Sequence, residues 1–226
     1  MKLVPVTPLS HSLAMSIARA VAVFTLALPL AAFAAPRDYR LDAVHTQVTV
    51  SVSHLGFSHP GGRLHVKSGY FRFDPDDWSS AQVDATLDTA STDFGDNAWN
   101  DKLRSREFLD AAHYPTVRFV SERVEKTGEK TGVAHGKLTL LGITRPLDLA
   151  ITFNRIGVHA YTFKWTAGFS ASAQLRRSDF RMTKYLPDVG DEVSIRIEAE
   201  GVRDKDAQAD AEHVQNPAST ALPTEQ

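Results

Sequence analysis

Val193-Ser194-Ile195-Arg196-Ile197-Glu198-Ala199-Glu200 sets an apolar side chain at every second position and a polar or charged one between. Period two is the signature of a half-buried β-strand, because successive side chains point to opposite faces. The same pattern recurs outward from this stretch. Val48, Val50 and Val52 alternate with Thr49, Ser51 and Ser53, and Val83, Ala85 and Leu87 with Asp84, Thr86 and Asp88. Leu147, Leu149, Ile151 and Phe153 alternate with Asp148, Ala150, Thr152 and Asn154. Tyr161, Phe163, Trp165, Ala167 and Phe169 alternate with Thr162, Lys164, Thr166 and Gly168. Less regular strands are expected around residues 64–73, 117–124 and 133–141.

Turn signals separate these runs: Pro60-Gly61-Gly62, Asp74-Pro75-Asp76, Thr127-Gly128 and residues 142–146. About eight short strands with polar punctuation argue for an antiparallel sandwich or a closed barrel. One segment departs from period two. Between Asp96 and Ala112, Trp99, Leu103 and Phe108 fall near helical spacing, with Asp96 placed to cap a helix and Ser105 to start a second short turn. Pro115 then returns the chain to an extended conformation. One or two short helices are therefore expected between strands, at one end of the sheet. Alternation alone also fits a membrane barrel with lipid outside. The polar faces, however, carry Asp84, Asp88, Asp148, Lys164, Arg196, Glu198 and Glu200, which suits an outside wetted by water and an apolar inside.

The chain of 226 residues carries 25 Lys and Arg against 27 Asp and Glu, and no cysteine. Thiol nucleophiles, disulfides, Cys-ligated metals and a lipoprotein anchor are thereby excluded. Residues 1–34 have the order of a secretory signal. Lys2 and Arg19 are its only charges, roughly 14 apolar residues follow, and Ala32-Phe33-Ala34 offers a small-residue cleavage site. That apolar run is shorter than the ~20 residues needed to span a bilayer. Export to the periplasm is expected, with a mildly acidic chain that has no electrostatic reason to bind nucleic acid. Residues 37–203 form the expected folded domain. Residues 204–226, poor in apolar anchors, read as a disordered polar tail.

Residues that suggest chemistry do not assemble into a known pattern. His45, His54, His59 and His65 lie close in sequence but lack metal-ligand spacing. They fit solvated or hydrogen-bonded strand ends, with His54 at the barrel mouth. Asp93, Asp96 and Asp101 lack the regular spacing of a calcium loop and fit helix capping and solvated charge. Ser178-Asp179 has no nucleophile-elbow setting; Arg177 and Asp179 fit a role in tying down a loop.

Several runs in order carry a resemblance. They are Val44-His45-Thr46, His54-Leu55-Gly56-Phe57-Ser58, Gly69-Tyr70-Phe71-Arg72-Phe73, Leu103-Arg104-Ser105 with Glu107-Phe108-Leu109-Asp110, and Tyr114-Pro115-Thr116-Val117-Arg118-Phe119. Further on come residues 136–147, Ala167-Gly168-Phe169 and Arg177-Ser178-Asp179-Phe180. From about residue 39 to 202 the chain resembles the YceI family of lipocalin-like, polyisoprenoid-binding periplasmic proteins. Trp99-Asn100-Asp101-Lys102 stands where many members carry an Arg-Asp pair, and Arg181 where many carry glycine. The resemblance implies an all-β fold: an extended eight-stranded antiparallel lipocalin-like barrel, with one or two short helices inserted and a long hydrophobic pore. It implies as ligand an isoprenoid quinone, a polyprenyl chain or a similar amphiphilic lipid. It implies no catalytic step, and burial of an apolar chain needs no cofactor and no metal. A membrane quinone-using protein is the candidate protein partner.

Alternation, with the insert as lid, then nominates the ligand-contacting residues. They are Val50, Val52, Phe57, Phe71, Phe73, Leu87, Phe94, Trp99, Phe108, Phe119, Leu140, Ile151, Phe153, Phe163, Trp165, Phe169, Ile195 and Ile197. Two rival readings stand beside the carrier. One is a barrel enzyme acting on a lipidic or small substrate through His54 and residues 93–101. The other is an interaction module whose barrel is filled by its own rings.

Overall fold

The β-branched and aromatic residues that alternate with polar ones do form strands, and all their pairings are antiparallel. The structure, a computed structural model, describes Lys2 and residues 36–215. The rest of the expected export segment and residues 216–226 lie outside the described residues. The strands are β1 (Arg37–Leu41), β2 (Gln47–His54), β3 (Gly61–Phe73), β4 (Gln82–Asp93), β5 (Thr116–Lys126), β6 (Thr131–Leu140), β7 (Ile143–Val158), β8 (Trp165–Arg176) and β9 (Val189–Arg203). They pair in the order β1-β3-β2-β9-β8-β7-β6-β5-β4, and a β3–β4 pairing closes the ring.

Nine strands make eight staves. β1 pairs with β3 and β9 at one end of the barrel, Tyr39 opposite Phe71 and Arg203. β2 pairs with the same two neighbours at the other end, Val48 opposite Leu64 and Ile197. The two are collinear pieces of one stave, broken where Asp42 turns the chain. Its carboxylate accepts the backbone N–H groups of Val44 (2.8 Å) and His45 (3.2 Å) and bonds the His45 ring (2.8 Å). The fold is thus the closed eight-stranded barrel the resemblance implied.

At the β1 end, rings fill the interior. Tyr39 stacks on Phe71 at 5.0 Å, Phe71 meets Phe169 at 5.3 Å, and Phe73 touches Phe169 (4.9 Å), Phe153 (5.0 Å) and Trp78 (5.4 Å). Glycines leave the room. A Cβ on Gly201 would lie 2.3 Å from the Phe71 ring, and one on Gly132 2.7 Å from Trp78. At the opposite end lies α1 (Asn97–Arg104), the expected insert between β4 and β5. Its cap is Asp96, whose side chain accepts the Trp99 N–H at 3.0 Å. Ser105 begins a turn rather than a second helix, accepting the Phe108 N–H at 3.0 Å.

Two expectations fail. Tyr161 to Lys164 continue the alternation of β8 in sequence but form the β7–β8 turn. His159 accepts the N–H groups of Tyr161 and Thr162 through Nδ1 (3.3 and 3.2 Å), and Phe163 takes a left-handed φ of 57°. No glycine or proline marks the turn in the sequence, because the histidine ring supplies its acceptor.

The polar tail is also ordered in part. α2 (Ala207–Gln215) packs on β3 and β1. Ala207 and Ala211, one helical turn apart, are buried against Tyr70. Arg40 donates to Asp204 (2.7 Å) and to Asp210, and Arg72 to Gln208 (2.9 Å). Small side chains let the helix approach the sheet closely, and ion pairs supply what large apolar anchors would have.

The Asp204 carboxyl is held below the usual range by the Asp206 N–H and by Arg40. Its support for α2 is therefore complete above its ordinary value of 3.8 and is lost as pH falls further. Hydrogen-exchange protection of the α2 amides should drop below about pH 4 before that of β3 does. Phe73→Ala should cost ~3–5 kcal/mol in denaturant unfolding, whereas Phe163→Ala should stay within ~0.5 kcal/mol, since Phe163 is 79% exposed.

Candidate functional site

Between the ring cluster and α1 the barrel is hollow. The cavity measures about 640 Å³, within the ~300–1,000 Å³ of ligand pockets. Its wall comes from the inward positions of successive strands: Val50 and Val52 of β2, Leu64 and Val66 of β3, Leu87 of β4, Phe119 of β5, Leu138 and Leu140 of β6, Leu149 and Ile151 of β7, and Ile195 and Ile197 of β9. A barrel packed shut buries such residues completely. Here Val50, Val52, Leu175, Val193, Ile195 and Ile197 point inward and remain only half-buried. Side chains of this length do not meet across the lumen.

Fourteen of the residues nominated from sequence line this space: Val50, Val52, Phe71, Phe73, Leu87, Phe94, Trp99, Phe108, Phe119, Leu140, Ile151, Phe169, Ile195 and Ile197. The other four do not. Phe153 belongs to the ring cluster behind the cavity. Phe163 sits in the β7–β8 turn, and Trp165, though in phase with Phe169, is 48% exposed because β8 there overhangs the barrel end. Phe57 projects outward at the tip of the 55–58 turn, 88% exposed.

The mouth is built from three segments. The first is the turn after β2, where the His54 ring lies 5.9 Å from Trp99. The second is α1 with the loop after it. Buried Asn100 accepts the Phe94 N–H (2.7 Å) and donates to Asp93 (3.1 Å), and Arg104 donates to the Thr92 carbonyl (3.1 Å), so both tie the insert to the end of β4. A Cβ on Gly62 would fall 2.0 Å from the Phe94 ring, so only glycine seats that ring on the wall. The third segment is the loop from residue 177 to 188.

Glu107 links the second and third. It bonds the Lys102 ammonium at 2.7 Å and accepts the Tyr185 hydroxyl at 2.7 Å, while Tyr185 stacks on Phe108 at 6.0 Å. These partners hold the Glu107 carboxyl low and the Lys102 ammonium high. Arg177 is buried and donates to the carbonyls of Gly190 (2.7 Å), Met182 (2.7 Å) and Val189 (2.6 Å); burial lowers its pKa. It ties down the loop as expected, but the carboxylate beside it is Asp191, not Asp179. Asp191 accepts the Ser178 N–H (2.9 Å) and hydroxyl (2.8 Å). Arg181 has a left-handed φ of 63°.

Sequence reasoning missed Asn100, Glu107 and Tyr185. Asn100 and Glu107 stand in runs compared with the family but carry no assigned role there, and no periodic signal marks Tyr185. Among the described residues no group of three or more His, Asp or Glu could hold a metal ion, and no helix is long and apolar enough to cross a membrane.

The model of the YceI-like domain matches residues 39–201. The chain belongs to the YceI family. A relative from Pseudomonas savastanoi pv. phaseolicola, named UPF0312 protein, is 36% identical over 171 residues, covering 74% of this chain and 88% of the relative. Among solved structures, Burkholderia cenocepacia BcnA superposes with a TM-score of 0.63 at 24% identity, over 71% of this chain and 98% of that one. A polyisoprenoid binding domain from Saccharophagus degradans superposes at 0.56 and 13% identity, over 74% and 98%. These structures share the YceI barrel. If the Glu107 bonds hold the mouth, Glu107→Gln should raise deuterium uptake across residues 181–188 several-fold, while the midpoint of barrel unfolding stays within ~0.5 kcal/mol.

Proposed function

We propose that this YceI-family barrel is a periplasmic carrier or reservoir for a long-chain isoprenoid, of quinone or polyprenyl type, or a similar amphiphilic lipid. The observation that carries this reading is the hollow itself: a cavity of about 640 Å³ lined chiefly by apolar side chains. At ~30 Å³ per water-sized group it holds on the order of twenty such groups. Burying twenty methylenes at ~0.8 kcal/mol each gives ~16 kcal/mol. That offsets the ~4–15 kcal/mol lost on association without a single strong polar contact. The polyisoprenoid-binding domain of Saccharophagus degradans, which shares the fold, supports the ligand class. The signal-like residues 1–34 support the compartment, and a membrane quinone-using protein would then be the partner that receives or supplies the ligand.

Carriage rather than catalysis is also favoured by how the polar groups are used. Lys102, Glu107 and Tyr185 bond one another, and Arg177 spends its donors on carbonyls. Asp93 and Asp96 cap turns around α1. Each of these groups is thus committed to a side-chain or backbone partner of this chain.

The cavity runs from the α1 end, at Leu55, Trp99 and Tyr185, toward Phe73, Ala81 and Gln82 at the other. The Phe71, Phe73, Phe153 and Phe169 rings narrow the end away from α1, so the mouth beside α1 is the wider route for a chain. Protein purified without detergent and extracted with organic solvent should release a long-chain lipid detectable by mass spectrometry. Ile195→Glu, on the cavity wall, should abolish that recovery, and Phe163→Glu, outside it, should leave it unchanged. Equal recovery from wild type and Ile195→Glu would defeat the carrier reading.

A further inference from the structure

The apolar surface does not stop at the mouth. Leu55, Trp99 and Tyr185 line the cavity and are at the same time exposed, and Phe57 and Leu186 extend that surface outside. The most exposed of them is held out by rigid geometry. Leu55 and Gly56 take left-handed φ values of 53° and 72°, the His54 N–H donates to the Ser58 carbonyl at 2.9 Å, and the Leu55 N–H donates to Asp188 at 2.6 Å. The turn is thus closed on itself and bonded to the neighbouring loop, and Phe57 has no route into the core.

We infer that this rim docks on a lipid bilayer, with Phe57, Leu55, Trp99 and Leu186 entering the interface, and that the cavity loads and unloads there. The inference rests on the lipid-carrier reading and adds the surface from which the lipid comes. Two features favour a bilayer as occupant. A hydrocarbon chain leaving the cavity through a rim sunk in membrane passes from one apolar medium to another, whereas through a free rim each methylene would cross water. The rim chemistry is also interfacial. Trp99 and Tyr185 are aromatic with polar edges, and the Lys102 and Lys184 ammonium groups each lie 5.3 Å from the Tyr185 ring, on stems long enough to reach water. Asp101, Glu107 and Asp188 stand among those lysines, so neither sign of charge dominates. Docking should therefore be driven by insertion and be insensitive to salt.

The opposite end supplies the control. Phe163, on the β7–β8 turn, is exposed almost as fully as Phe57 but lies behind the ring cluster, away from the cavity. The test is flotation of the whole protein with zwitterionic phosphatidylcholine vesicles, for wild type, Phe57→Asp and Phe163→Asp. Lipid extraction is run on the same preparations before vesicles are added. Wild type and Phe163→Asp should float with the vesicles in both low salt and 0.5 M NaCl (about a 4 Å screening length). Phe57→Asp should partition about ten-fold less or weaker still, with its co-purified lipid intact. Wild type that fails to float, Phe57→Asp that floats like wild type, equal losses in the two variants, or release by salt would each overturn the docking. Vesicle binding that follows this pattern while no preparation yields lipid would sink the carrier reading and leave the docking standing.

Discussion

Where the rings stop is what decides the rest of this molecule. An eight-stranded barrel is just wide enough either to fill with its own side chains or to hold one slim ligand, and this chain does each in one half. Tyr39, Phe71, Phe73, Trp78, Phe153 and Phe169 pack edge and face within 5.4 Å of their neighbours. Toward the mouth most inward strand positions change to Val, Leu, Ile and Ala, with Phe119 the exception, and the aliphatic chains are too short to meet. Gly201 and Gly132 sit beneath rings that a Cβ would displace. The change from filled to hollow thus follows side-chain length along each stave.

That division accounts for what was legible in the sequence. Period two located the strands and their inward faces, and the charges on the other face put water outside. Fourteen nominated residues consequently line one cavity. Periodicity reports face but not depth. Phe153 and Trp165 have the right parity, yet one lies behind the cavity and the other beyond the barrel rim. A β-bulge between Phe153 and Arg155 shifts the β7–β8 register there, and parity carries no trace of it. The turn at 159–164 was hidden because a histidine ring provides the acceptor that Asn, Asp or Gly usually signals. The tail helix was hidden for a related reason. Its anchors are two alanines, ion pairs to Arg40 and a hydrogen bond from Arg72, both more than 130 residues away in the chain, and composition weighs none of them.

The mouth obeys different physics from the wall. The wall offers a guest nothing but surface, so it discriminates by volume and shape, and discrimination by shape alone is weak: one methylene more or less in an apolar pocket is worth ~1–3 kcal/mol. The mouth holds the polar groups, but they are largely committed to each other. Arg177 locks the 177–190 loop to its own carbonyls, and Glu107 joins that loop to α1.

Such commitments fix where the opening is more than what passes through it. A cavity that selects coarsely, behind a mouth that is positioned firmly, gains specificity from what the mouth is pressed against. This is the arrangement expected of a carrier whose guest is chosen by the surface that presents it, and it explains why the most exposed apolar side chain at that end, Phe57, stands outside the cavity and not within it.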